Sequence, residues 1–161
     1  MNLSLDNDPE ETILSEDTRA LLQQAGWYPG RDINIDGYVQ ALLAEGYPVF
    51  PVVKKFLKKF GGIEIKFTFD TVYGTIASSV HFDAAAAAAA VYNEGYVSKY
   101  VERTGTPLCV IGESENRNTT LMMDQEGKVY GGFDSDLAFF GETGEQAIEN
   151  ILNRQNIRRL P

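Results

Sequence analysis

The chain is short of the residues that perform covalent and metal chemistry. Among 161 residues there is one cysteine, Cys109, and one histidine, His81. A lone cysteine excludes an internal disulfide, and with a lone histidine it cannot fill a zinc tetrahedron unless carboxylates complete the set. We therefore assign no catalytic residue, no metal site and no cofactor. Long apolar runs are missing as well: nothing approaches the roughly 18 uninterrupted apolar residues of a membrane span. Residues 1–12 lack the basic start and apolar stretch of a secretory leader. Together these absences predict a cytoplasmic protein.

Basic charge is the next scarcity. Fourteen Lys and Arg face 23 Asp and Glu, for a net charge of -9. The excess is uneven: from Glu113 to Glu149 nine carboxylates stand against two basic residues, Arg117 and Lys128. Lys54, Lys55, Lys58 and Lys59 form one basic group, and Arg154, Arg158 and Arg159 make the tail, 154–161, basic. An acidic protein repels nucleic acid and anionic membrane, and its field speeds encounter with a cationic partner. No nucleic-acid or membrane partner is expected.

What is present suits one globular domain with one core: 43% of residues are hydrophobic and no linker or internal repeat divides the chain. Residues 1–13 are polar, with Asn7-Asp8-Pro9 as a turn signal, and read as a mobile acidic segment. Order is expected from Leu14. Ser15 is a good N-cap, and Leu21, Leu22 and Ala25 make an apolar stripe that Gly26 ends. Then comes Gly26-Trp27-Tyr28-Pro29-Gly30-Arg31, a stiff turn around the only tryptophan, whose burial fixes the segments beside it. Arg31 is expected to be half-buried and tied to carbonyls and a carboxylate.

A second helix from Asp36 uses Tyr38, Val39, Leu42 and Leu43 before Gly46 stops it. Val53, Phe56, Leu57 and Phe60 repeat at helical spacing, with the four lysines on a solvated outer face. After Gly61-Gly62 the period switches to two: Ile63, Ile65, Phe67 and Phe69 alternate with polar residues, predicting a half-wet strand, a turn at Val72-Tyr73-Gly74 and an antiparallel partner from Thr75 to Phe82. Asp83 caps a helix of seven alanines, Ala84 to Ala90, with Gly95 a break in its continuation. Leu108 to Ile111 is a buried strand, Glu113 to Asn118 a polar loop, and Thr119 to Asp124 with Lys128 to Phe133 a hairpin. Leu137 to Phe140 is a final strand, and Thr143 with Gln146 boxes the last helix. This order predicts an α+β fold, a largely antiparallel sheet of about six strands flanked by helices.

No glycine motif here opens a helix as a phosphate loop does, and no nucleophile elbow or histidine triad can be assembled. A small enzyme would have to use His81 with Asp83 or Asp70, and the remainder of such a site is missing.

Four motifs occur in order: Gly26 to Arg31, Phe56-Leu57-Lys58-Lys59-Phe60-Gly61-Gly62, His81-Phe82-Asp83, and Pro107 to Gly112. In combination, over roughly residues 14–152, they resemble the SUKH superfamily, specifically its third immunity-protein subgroup. Ile63 stands where that family often has leucine. The resemblance implies a SUKH-like domain, residues 14–153, that binds and blocks a polymorphic toxin, often a basic nuclease, without catalysis. It also implies a scaffold role for Gly26, Trp27, Pro29, Gly30, Arg31, Phe60, Gly61 and Gly62. The acidic run Glu113, Glu115, Asp124, Glu126, Asp134 and Asp136 is then the expected toxin-binding surface. An adaptor or regulatory module of the same fold is the alternative.

Overall fold

The computed structural model describes residues 8–90 and 94–161. Among them are six helices, α1 (Glu16–Gln24), α2 (Asp36–Ala44), α3 (Pro51–Phe60), α4 (Ala84–Ala90), α5 (Glu94–Thr104) and α6 (Gly144–Asn153). The strands are β1 (Glu64–Thr71), β2 (Gly74–His81), β3 (Cys109–Ser114), β4 (Thr119–Met123), β5 (Val129–Phe133), β6 (Asp136–Gly141) and β7 (Arg158–Arg159). They form one curled antiparallel sheet in chain order, in an α+β single domain. Gly95, expected as a break, lies inside α5, and residues 91–93, which join α5 to the alanine helix, lie outside the described residues.

Three helices start where their caps dictate. The Ser15, Asp83 and Thr143 side chains accept hydrogen bonds from the backbone N–H of Thr18, Ala86 and Gln146. Each satisfies a donor that the first helical turn leaves without a partner. Gln146 accepts from the N–H of Glu142 rather than of Thr143, so the box closes one residue early. All four apolar positions of α3 are buried, as their spacing requires. In α2 the pattern holds less well: Leu42 is buried but Leu43 points to solvent.

Adjacent residues of a strand face opposite sides of a sheet, and two glycines show what covers each side. A Cβ on Gly131 would collide with the Phe140 ring, and one on Gly132 with the Tyr100 ring of α5. Leu121, opposite Gly131, shares its face, and there Phe56 of α3 and Ile148 and Ile151 of α6 fill the core. Helices therefore cover both faces of the central strands. Gly131-Gly132 marks close packing, not a ligand loop.

The structure revises both ends of the domain. Pro9–Ile13 is a 3-10 turn capped by Asp8, with Glu11 buried, so folded chain begins ahead of Leu14. At the other end the basic tail adds a seventh strand: Arg158 and Arg159 pair with Phe139 and Ala138, and the Leu160 N–H donates to the Leu137 carbonyl at 2.8 Å. Arg103 of α5 holds the same tail by donating to the carbonyls of Leu160 and Pro161.

Candidate partner-binding surface

The motif residues converge on one place, the junction of the Trp27 turn with the end of α3. Gly26 adopts φ 106°, a conformation open to glycine, which turns the chain so that the Trp27 N–H donates to the Leu22 carbonyl at 2.9 Å. Trp27 is buried and stacks on Phe60, ring centroids 6.1 Å apart. Arg31 donates to the carbonyls of Lys59 and Gly61 at 2.8 and 2.9 Å. No carboxylate among the described residues pairs with it, contrary to the sequence expectation. Its guanidinium closes the C-terminus of α3, where free carbonyls favour a cation. The Gly62 N–H then donates to the Phe82 carbonyl, tying the junction to the end of β2. Pro29 and Gly30 lie exposed in the turn.

The acidic run does not form one surface. Glu113 is not in a loop: it lies in β3 opposite His81 and is buried. Asp124 is also buried, its carboxylate accepting from the N–H groups of Glu126 and Lys128 at 2.9 and 3.0 Å to close the β4–β5 turn. These two offer a partner almost no surface. Glu115, Glu126, Asp134 and Asp136 are exposed. Strand direction separates them, since Glu126 sits in the β4–β5 turn at one end of the sheet while Glu115 and Asp134, in the β3–β4 and β5–β6 turns, and Asp136, at the start of β6, sit at the opposite end. The basic tail neutralises part of that end: Arg154 lies 3.4 Å from Glu115, and Arg159 pairs with Asp136.

Burial raises the Glu113 carboxyl above its usual range, against the lowering pull of Arg117 and His81. A carboxyl raised in the folded state destabilises the fold where it is ionised, above that raised value, and stops doing so as pH falls through it. Glu113→Gln is accordingly expected to raise Tm at pH 7. The gain should shrink on acidification and vanish below about pH 4.5. A thermal scan at several pH values checks this.

A second charged group lies between the start of the chain, α3 and α6. The Lys59 ammonium bonds Glu145 at 2.8 Å and Asp8, and Glu11 completes three carboxylates whose oxygens lie within 4.8 Å of one another. Such a cluster suits a cation, and the protein supplies its own. Burial raises the Glu145 and Glu11 carboxyls. Burial alone would lower Lys59, but its bonds to Asp8 and Glu145 hold it above its ordinary value.

The described residues do not assemble a reaction centre. His81 is half-buried at the end of β2, its Nδ1 3.0 Å from the Arg117 guanidinium, while Asp83 caps α4 and Asp70 accepts from the Thr75 hydroxyl. Burial pushes the Cys109 thiol up to about 12, so it stays protonated and inert at neutral pH. No helix among the described residues is long and apolar enough to cross a membrane.

A model of the family described as SUKH-3 immunity protein matches residues 14–154, and the chain belongs to that family. Membership makes it a non-catalytic immunity protein and implies neutralisation of a polymorphic toxin. No curated protein and no solved structure matches the chain.

Sequence reasoning missed a feature of the same end of the sheet. β2 pairs with β3 only at Val80–Ser114 and His81–Glu113, while β1 and β2 pair along their full length. From Ser79 outward the hairpin leaves the sheet: its base stays buried at Ser78 and Ser79, the β3–β4 turn holds it where Asn116 donates to the Ala77 carbonyl, and beyond that it is an exposed arm. Val72 and Tyr73 at its tip are 92% and 95% exposed. The tip is read from sequence as a turn, and no periodicity distinguishes an exposed apolar turn from a packed one.

Proposed function

We propose that the chain neutralises a basic toxin, of the nuclease class, by forming a stable complex with it in the bacterial cytoplasm, with neither nucleic acid nor membrane as a partner. The observation that carries this reading is the net charge of -9 on a member of an immunity family. A nuclease must present cations to phosphate, and an acidic antidote both steers toward those cations and covers them. Of the acidic run, Glu115, Glu126, Asp134 and Asp136 have the exposure to take part. Asp134 counts most, because no basic side chain among the described residues pairs with it.

Stopped-flow association with the purified toxin domain encoded beside this chain tests the electrostatic claim. Raising salt from 0.05 to 0.5 M shortens the Debye length from roughly 14 Å to about 4 Å. The association rate is expected to fall at least about tenfold, with Asp134→Lys lowering it further at low salt. A rate indifferent to salt would remove charge steering from the account.

A further inference from the structure

The open end of the sheet gathers apolar surface that the fold does not use. Of eight exposed large hydrophobic side chains among the described residues, five lie there: Val72, Tyr73 and Ile76 on the arm, Phe133 at the end of β5, and Ile157 in the tail. Scattered singly they would need no explanation; gathered at one end they do. Arg154 joins the two halves, with its guanidinium 3.9 Å from the Phe69 ring of the arm and 3.4 Å from Glu115. It also lines a groove of ≈ 700 Å³ that contains Phe133 and Ile157. The turn chemistry asks for none of this. Gly74 takes φ 120° and neither Val72 nor Tyr73 has positive φ, so small polar residues would turn the chain equally well.

We propose that this end, centred on Tyr73 and Val72, is the surface that grips the toxin. An apolar pocket of the toxin receives the Tyr73 ring, and cations elsewhere on the toxin face Asp134. The inference rests on the immunity reading above. Its layout is that of an interface with an aromatic anchor and a charged rim.

Charge argues for a foreign protein over a second copy. Among the described residues Asp134 has no ion-pair partner, while Arg154 pairs with Glu115, Arg159 with Asp136 and Arg117 with Glu64, and Arg103 donates to the carbonyls of Ser135 and the tail. A second copy carries the same net charge of -9 and is repelled, whereas a basic toxin is attracted.

The test uses the full chain, the toxin domain encoded beside it, and the double variant Val72→Ser/Tyr73→Ala. Leu43→Ser, at an exposed apolar position on α2, is the control. Because both tip residues are almost wholly exposed, the double variant is expected to keep the wild-type Tm. Toxin binding by calorimetry should weaken on the order of 100-fold, with the control binding as wild type. If wild type binds and the tip variant binds equally well, the arm proposal fails and the immunity reading stands. If wild type does not bind that domain at all, the immunity reading itself fails for this toxin. A wild-type dimer in sedimentation that the tip variant converts to monomer would assign the end to self-association and overturn the proposal.

Discussion

Trp27→Ala is expected to destabilise the domain by about 3–5 kcal/mol, the range for emptying a buried aromatic site. For a domain of this size that is a Tm fall of roughly 6–20 °C. The cause is position as much as area. Trp27 is 2% exposed and stacks on Phe60, which in turn packs against Phe56 and Phe82. Removing the indole therefore loosens α1, α3 and the end of β2 together. Trp27→Phe keeps a ring against Phe60 and is expected to lose about half as much. Urea unfolding measures both, and a loss under about 1 kcal/mol for the alanine variant would show that the turn does not anchor the fold.

Lys59→Met should cost a similar amount, about 3–5 kcal/mol at pH 7, for an electrostatic reason. The Glu145 side chain is 3% exposed, and without Lys59 its charge is buried and uncompensated. Adding Glu145→Gln removes that charge, so the double variant is expected to recover most of the loss. The pH dependence has a definite sign. Glu145 is already raised by burial, and losing Lys59 raises it further, so the folded variant binds that proton more tightly than the unfolded chain does. Stability of Lys59→Met should accordingly rise as pH falls from 7 toward 4.5. In the wild type the raised Lys59 contributes fully below pH 10.5, and that contribution is lost as pH rises through the folded value. A single variant as stable as wild type at pH 7 would contradict the assignment.

Local rules were legible in the sequence because local physics decides them. The α3 stripe, the alternation of β1 and the caps at Ser15, Asp83 and Thr143 depend on neighbours a few residues away, and all appear as expected. Long-range pairing was not legible. Asp8 is held by Lys59, fifty-one residues on, and Arg158 finds β6 only after α6 has turned the chain back. Composition marks residues 1–13 as a mobile acidic segment and 154–161 as a basic tail; Asp8-Pro9 is a local signal for the first turn, but neither long-range pairing can be read from its own segment. Charge misled in the same way. Glu113 and Asp124 read as surface acids, but one completes a buried strand and the other spends its carboxylate on backbone N–H groups. Lys59 read as part of a solvated face and instead neutralises a buried cluster. The candidate surface suffered most from this, since a run of acids contiguous in sequence is divided in space by strands that reverse at every turn.

The central claim is that this chain works by occupying its target, not by turning anything over. Titrating the purified protein into a fixed amount of the toxin domain encoded beside it tests that most directly. Residual toxin activity should fall linearly to a sharp end point, and toxin added beyond that point should stay fully active however long the mixture stands. Progressive loss of the excess activity with time would mean catalysis, and full activity at any ratio would mean that this domain is not what the protein restrains.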